Sequence, residues 1–267
     1  MIFKLNASLN FTFVKVSSFR LISLFAENLF IIELNLNFQE NFKLFMKTET
    51  LEFNAEHGET TAYVAMPDET DADTKAVILI QEWWGLNGNI KDIAGRYADE
   101  GFICIAPDLY RGKVATNPAD ASQLMNALEL EDGLDTIKNA QQVAREKYGI
   151  SHFGITGFCM GGTYAFQAVC HLEGFSASAP FYGDVPNETV LQNLKTPVLF
   201  ISGTKDQWIN TEKVAELERA AQVHTLPIQS VKYEADHAFF NDTREVYDAD
   251  AAQDAWAKVM SFFDENL

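Results

Sequence analysis

Short apolar runs typical of strands recur from residue 51 onward, separated by longer segments with helical spacing. The run AVILIQ (76–81) is continuous and rich in β-branched residues, which is typical of a strand buried on both faces. Similar runs predict strands over 102–107, 152–158, 176–183, 197–203 and 227–234. Buried strands that alternate with helices predict an α/β class protein, a mostly parallel central sheet with helices on both faces.

An antiparallel hairpin is predicted at the start of this region. LEFNAE (51–56) and TAYVAM (61–66) alternate in polarity, and His57, Gly58 and Glu59 lie in the turn between them. Helical spacing predicts helices over 89–100, over 117–149 with an interruption near Asp132 and Gly133, and over 160–172, 211–222 and 244–267. No repeat or low-complexity linker divides residues 46–267, so we interpret them as one domain.

Residues 1–45 form an N-terminal extension with a different composition. They are rich in Phe, Leu, Asn and Ile and contain almost no Gly, Pro or Asp, whereas Met46 begins a segment that resembles an ordinary start. A misassigned start is the preferred interpretation, a structural arm is the second and a secretory signal is the third. We expect this extension to be disordered or absent from the natural domain.

Composition narrows the function classes. The net charge of −18 disfavours nucleic acid and anionic membranes as partners, and no run of apolar residues is long enough to predict a transmembrane helix. The odd number of cysteines (Cys104, Cys159 and Cys170) and the absence of a CxxC pair argue against a disulfide framework or a zinc site. Free thiols favour a reducing compartment, so we expect a cytoplasmic protein.

One motif carries nucleophile chemistry. GFCMG (157–161) is a G-x-C-x-G version of the nucleophile elbow, and it lies between a predicted buried strand and a predicted helix. The amino end of that helix would stabilise a thiolate at Cys159. Cys104, inside a strand, and Cys170, late on a helix, are interpreted as inert core thiols. The alternative is that Cys159 is a small residue buried in a tight turn.

A base and an acid follow Cys159 in the order that hydrolases use. Of the five histidines, only His237 lies in a loop after the last strand, where it could accept the thiol proton. Asp206, after the strand over 197–203, is expected to orient the imidazole. Asp184 and Asp236 are alternative acids, of which Asp236 would need an awkward reach.

The remaining groups at this edge of the sheet complete the predicted site. The backbone N–H groups of Met160 and Trp83 are the expected oxyanion donors. Glu82 follows the first central strand, and a carboxylate beside a thiol would oppose thiolate formation. We therefore expect Glu82 to be a partner or gate of the resting thiol, with a salt bridge at the edge of the site as the alternative.

Four segments together resemble the dienelactone hydrolase family of α/β-hydrolases, from about residue 47 to the carboxyl end. They are QEWWGLNGNIKDIAGRYADEGFICIAPDLYRG, GFCMGG, GTKDQWIN and YEADHAFFN. The resemblance implies an α/β-hydrolase fold and cofactor-free hydrolysis of enol-lactones and related esters. Residue by residue, it implies a triad of Cys159, Asp206 and His237, a contact of Glu82 with the resting thiol, and an oxyanion hole at Trp83 and Met160.

The sequence departs from this family at the substrate carboxylate. The family uses two arginines there, but the position four residues after His237 is Asn241, and no Arg or Lys lies between Asn117 and Ile137. Arg111 could substitute, or it could be a structural ion-pair partner. We therefore expect an aromatic, less charged pocket that contains Trp84, Trp208, Phe239 and Asn241.

The expected function is cysteine-dependent hydrolysis of enol-lactones or activated esters through a thioester acyl-enzyme. The alternatives are a broader carboxylesterase or thioesterase outside aromatic degradation, and a non-catalytic module that keeps the fold. The expected partner is a small-molecule ester or lactone, with no cofactor, metal, nucleic acid or membrane, in a monomer or weak homo-oligomer.

Overall fold

The computed structural model describes residues 46–70 and 74–267 in full and the backbone of residues 21–25 and 28–32. The chain divides into two units, Met1–Lys43 and Leu44–Leu267. In the first unit, β1 (Leu21–Phe25) pairs antiparallel with β2 (Asn28–Ile32). The expectations for the rest of residues 1–45 fall outside the described residues.

The second unit is built on an eight-stranded sheet. Its strands are β3 (Lys47–Ala55), β4 (Gly58–Met66), β5 (Ala76–Ile80), β6 (Ile103–Pro107), β7 (Phe153–Phe158), β8 (Ala177–Phe181), β9 (Val198–Gly203) and β10 (Ile228–Tyr233). Their order in the sheet is β10-β9-β8-β7-β5-β6-β4-β3. The hairpin strands β3 and β4 and the β4–β6 pair are antiparallel, and the other neighbours are parallel. The mostly parallel α/β sheet with an antiparallel edge is therefore confirmed.

Helices cover both faces of this sheet, because its central strands are apolar on both sides. In β5, Ile78 and Ile80 belong to one hydrophobic cluster, with residues of the helices over 130–148, 160–171 and 211–224. Val77 and Leu79 belong to a second cluster, with residues of the helices over 88–99 and 249–266. In the described ranges, no helix is long and apolar enough to cross a membrane. The helices are α1 (Gly88–Asp99), α2 (Pro118–Ala127), α3 (Leu130–Tyr148), α4 (Met160–His171), α5 (Glu188–Leu191), α6 (Thr211–His224) and α7 (Ala249–Asn266).

The interruption predicted within 117–149 lies earlier than expected, at Leu128 and Glu129 rather than at Asp132 and Gly133. Gly133 is inside the first turns of α3. A Cβ atom there would lie 2.2 Å from Cε1 of Tyr164, so the glycine permits close packing of α3 on α4 instead of ending a helix.

The closing helix also differs from its prediction, since α7 begins at Ala249 rather than near residue 244. The side chain of Asp248 caps it by accepting a hydrogen bond from the backbone N–H of Ala251 at 3.0 Å. Residues 244–247 instead form a turn, in which the N–H of Tyr247 donates to the carbonyl oxygen of Arg244 at 3.1 Å. This turn, unlike a helix, brings Arg244 and Val246 to the edge of the sheet where the candidate groups lie.

Candidate active site

Cys159 occupies a strained turn between β7 and α4. Its backbone has φ 56° and ψ −118°, a region that residues with a side chain rarely adopt. The N–H of Cys159 donates to the carbonyl oxygen of Phe181 at 3.1 Å, which ties the turn to the end of β8. This geometry presents the half-buried thiol at the carboxyl edge of the sheet, as a nucleophile elbow does.

Two glycines make that turn sterically possible. A Cβ atom on Gly157 would lie 2.3 Å from the carbonyl oxygen of Gly161. A Cβ atom on Gly161 would in turn lie 2.3 Å from the carbonyl oxygen of Ile80 in β5. The backbone on either side of Cys159 therefore packs against itself and against the central strand at distances that only glycine permits.

Asp206 and His237 come from the loops after β9 and β10 and meet at the same edge. Oδ2 of Asp206 lies 2.6 Å from Nδ1 of His237. The other oxygen, Oδ1, accepts hydrogen bonds from the backbone N–H groups of Trp208 at 2.8 Å and Ile209 at 2.9 Å. Because the carboxylate side chain is fully buried and held by two backbone donors, it fixes the orientation of the imidazole.

The surroundings of His237 favour the protonated form of its imidazole. Burial lowers the pKa of His237, but the hydrogen bonds to Asp206 and to the Cys159 thiol, together with the charges of both partners, raise it to about 9. Burial raises the pKa of Asp206, but the hydrogen bond and charge of His237 and the two backbone donors hold it below its ordinary value. The imidazole thus lies between the thiol and a carboxylate that stabilises its charged form.

The alternative acids do not reach the imidazole. Asp184 lies at an exposed position and forms an ion pair with Lys213 at 2.8 Å. Asp236 is exposed next to His237 in the chain, and it is Asp206 that contacts the ring. The other two thiols are buried, and burial raises the pKa of Cys104 well above its ordinary value and that of Cys170 to about 12.

Glu82 follows β5 and is buried beside Cys159 and His237. Its Oε2 accepts a hydrogen bond from Nδ2 of Asn241 at 2.9 Å. A contact between Glu82 and the resting thiol stays a prediction. Burial raises the pKa of Glu82, and the bond from Asn241 and the charges of His237 and Arg244 partly oppose this rise.

A cavity of about 680 Å³ opens above the thiol. The cavity is lined by Trp83 and Met160, whose backbone N–H groups are the expected oxyanion donors. Met160 is the first residue of α4, where backbone N–H groups have no acceptor within the helix. Trp84 and Trp208 also line the cavity, as expected for an aromatic pocket. The full lining is Glu82, Trp83, Trp84, Met125, Cys159, Met160, Thr163, Tyr182, Asp184, Trp208, Ile209, Lys213, His237, Ala238, Arg244 and Val246.

Two residues predicted for the substrate pocket lie behind it instead. Phe239 is fully buried and packs against the rings of Tyr182 and Tyr233, and Asn241 is directed at Glu82. The reason is a tight turn after His237, in which Ala238 has φ 63° and its carbonyl oxygen accepts the N–H of Asn241 at 3.0 Å. The turn directs both side chains into the protein.

Arg111 does not replace the missing arginine. Its guanidinium forms two hydrogen bonds with the carboxylate of Asp132, at 2.9 and 2.5 Å, and it does not line the cavity. Of the two interpretations given above, the structural ion pair is the one observed.

The sequence interpretation missed several cavity residues. Tyr182 directly follows β8 with φ 35°, and its ring lies 5.0 Å from that of His237. The predicted strand over 176–183 contained Tyr182, so its position just after β8 could not be recognised from the sequence. Arg244, whose guanidinium lies 5.3 Å from the ring of Trp84, gave no signal either, because residues 244–267 were predicted to be helical.

Comparison with known proteins decides the family. The model of the dienelactone hydrolase family matches residues 60–267, most of the chain and all of the site. The chain belongs to the dienelactone hydrolase family. The resemblance seen in the sequence is thereby confirmed, as are the α/β-hydrolase fold and a hydrolase that acts on ester or lactone bonds.

Individual relatives of this dienelactone hydrolase family member agree with that assignment. Protein usf of Aquifex pyrophilus is 36% identical over 82% of this chain and 99% of its own length. An Aquifex aeolicus protein that carries the provisional name carboxymethylenebutenolidase is 35% identical over 80% of this chain and 97% of its own. A crystal structure from Klebsiella pneumoniae, provisionally named as a dienelactone hydrolase, has a TM-score of 0.77 at 27% identity and covers 82% of this chain and 98% of that one.

Proposed function

We propose that this family member is a cysteine-dependent hydrolase of enol-lactones or activated esters, of the carboxymethylenebutenolidase type, that acts through a thioester acyl-enzyme. The observation that supports the proposal is the chain of contacts from the Cys159 thiol to His237 and from the imidazole to the buried carboxylate of Asp206. Such a chain supplies a nucleophile, a proton acceptor and a group that orients it.

In the proposed reaction, Sγ of Cys159 attacks the carbonyl carbon while its proton resides on His237. The N–H groups of Trp83 and Met160 stabilise the oxyanion. The imidazolium donates its proton to the leaving oxygen as the carbon–oxygen bond breaks, which leaves a thioester on Cys159. A water molecule then loses a proton to His237 and attacks the thioester, and the returning proton restores the thiol.

The chemistry of a thiol limits the substrates. A thiolate leaves a tetrahedral intermediate more easily than an alkoxide does, so an alkyl ester tends to return to the starting state. Enolate and phenolate leaving groups avoid this problem. The tryptophans that line the cavity suit a flat, apolar leaving group or acyl group of this kind.

A broader carboxylesterase or thioesterase is the second candidate, and one observation favours it. Asn241, at the position where the resemblance implies an arginine for the substrate carboxylate, is buried against Glu82, and Arg111 is paired with Asp132. A substrate without a carboxylate is compatible with this arrangement. The idea of a non-catalytic module is disfavoured by the intact chain of contacts at Cys159.

The test is a panel of phenyl acetate, an alkyl acetate of similar size, an acyl thioester and an enol-lactone, assayed with the full chain. We expect the enol-lactone and the phenyl ester to be hydrolysed far faster than the alkyl ester, with iodoacetamide labelling at Cys159 abolishing activity. Preference for the thioester would favour the second candidate. A wild-type protein that hydrolyses none of these compounds would support the non-catalytic alternative.

A further inference from the structure

Asn241 connects Glu82 to Thr243 through hydrogen bonds that allow one orientation of its amide. Its Nδ2 donates to Oε2 of Glu82 at 2.9 Å. Its Oδ1 accepts the backbone N–H of Thr243 at 3.0 Å and the hydroxyl of the same residue at 2.6 Å. Because two donors of Thr243 occupy the amide oxygen, only the amide nitrogen can face Glu82.

We propose that Asn241 and Thr243 are positioning residues that hold the Glu82 carboxyl in one orientation beside the Cys159–His237 pair. The inference rests on the proposed cysteine-dependent hydrolysis and gives Asn241 a role on the enzyme's own carboxyl rather than on a substrate. Asn241 and Glu82 are 3% and 4% exposed, so water does not compete for the bond between them.

This orientation decides where the proton of Glu82 resides. Oε2 must accept the hydrogen bond from Asn241, so the neutral carboxyl carries its proton on Oε1, the oxygen left for the cavity that Glu82 lines. A neutral carboxyl tolerates a thiolate nearby, whereas an ionised one repels it.

The ionisation of Glu82 depends on few groups, since the residue is buried. His237 and Arg244 attract its charged form, and the Asn241 amide donates to it, while burial opposes that form. The other titratable groups around this centre are Cys159, Tyr182 and Asp206. Asn241 has no titratable group, so it can be changed without adding or removing a charge at the reacting groups. We therefore expect Asn241 to set the pH at which the reactivity of Cys159 falls because Glu82 loses its proton.

The experiment measures the rate of Cys159 alkylation by iodoacetamide as a function of pH, with labelling assigned to each cysteine by peptide mass spectrometry. When Glu82 loses its proton, the alkylation rate of Cys159 should fall, which produces a step in the pH profile. In N241A the loss of the donor favours the neutral carboxyl, so this step moves to higher pH. Just above the wild-type step, the variant is then alkylated several-fold faster. T243V keeps the backbone donor to Oδ1 and is expected to shift the step in the same direction by less.

Two further variants separate this role from a general structural effect. T243S retains a hydroxyl and is expected to restore the wild-type step. N193A removes an exposed asparagine that does not line the cavity and serves as the matched control. Circular dichroism verifies that each variant is folded.

A wild-type profile without the step, or an unchanged step in folded N241A, overturns the proposal. If N241A does not fold, an unchanged step in T243V overturns it. Alkylation of Cys159 needs no turnover. The experiment therefore tests the role of Asn241 and Thr243 independently of the proposed hydrolase function. A protein that hydrolyses no ester but whose step moves in N241A loses only the proposed function.

Discussion

The floor and the mouth of the cavity differ in what holds their side chains. The floor consists of Glu82, Cys159 and His237, which line the cavity, together with Asp206, which holds His237 from behind; all four are buried or half-buried. The mouth consists of Met125, Trp208, Arg244 and Val246, of which Trp208 is 69% exposed and Val246 is 41% exposed. A buried polar group requires a partner in one geometry, whereas an exposed apolar group tolerates several. The floor should therefore determine the rate of the reaction and the mouth the choice of substrate.

The two regions also differ in origin. The floor residues follow β5, β7, β9 and β10, so the sheet fixes their spacing. The mouth residues come from α2 and from loops, including the turn before α7, whose positions the sheet does not define. Five predictions test whether this division between the two regions holds.

Replacement of the floor nucleophile should have the largest effect. For Cys159→Ala we expect kcat/KM for an aryl ester to fall by about 10³-fold or more, because the attacking atom is lost. Cys170→Ala, at a buried thiol outside the cavity, is the matched control and should keep most of the activity. Full esterase activity in Cys159→Ala would contradict the proposed mechanism.

Asp206→Asn should lower kcat/KM by about 10²-fold and should also change its pH dependence. The hydrogen bond and charge of Asp206 help to raise the pKa of His237 to about 9, so activity that needs the imidazolium should decline in the wild type as pH rises through about 9. In the variant this decline should begin at lower pH, which a kcat/KM profile measures. Asp236→Asn, at an exposed carboxylate next to the base, should keep the wild-type profile.

The ion pair between Asp206 and His237 should also make the stability of the folded protein depend on pH. The pKa of His237 is higher in the folded protein than the ordinary value of about 6.5 expected in the unfolded chain. Its contribution to stability is thus fully present below about pH 6.5 and is lost as pH rises through about 9. The Tm should decrease over this range, and the decrease should be smaller in Asp206→Asn. Equal slopes in both proteins would show that the pair does not cause the decrease.

Gly161→Ala tests the backbone of the floor. The added Cβ would lie 2.3 Å from the carbonyl oxygen of Ile80, and we expect the free energy of unfolding to fall by about 3 kcal/mol in urea titrations. Gly88→Ala is the control, since no atom lies within 4 Å of its Cβ position, and a change below about 1 kcal/mol is expected. Similar values for both variants would mean that the close approach of the elbow to β5 is not required.

Trp208→Ala tests the mouth and should have the smallest effect. Lost contact with an aromatic substrate should raise KM for a naphthyl ester about 5-fold, with a smaller change for phenyl acetate. Val223→Ala, at a similarly exposed apolar residue outside the cavity, is the control. Because the Trp208 ring also lies 4.9 Å from that of His237, an equal loss of kcat for both esters would place Trp208 in the floor and weaken the distinction between the regions.

Different parts of the molecule could be predicted from the sequence to different degrees. The central sheet could be predicted from continuous apolar runs, because strands buried on both faces consist mainly of apolar residues. The positions of Cys159, Asp206 and His237 followed from the rule that parallel strands end at one edge of the sheet. The placement of Phe239 and Asn241 in the pocket was wrong, because one residue with positive φ, Ala238, reverses the direction of the chain.

By itself, the sequence determined the α/β fold, the edge of the sheet at which the chemistry lies, and the residue types there. These features depend on local periodicity and on the order of strands along the chain. Only the tertiary structure decided that Asn241 faces Glu82, that Arg111 pairs with Asp132, and that Arg244 reaches the mouth. Each of these contacts joins residues distant in sequence, and its geometry depends on loop dihedral angles and on which donor is buried beside which acceptor.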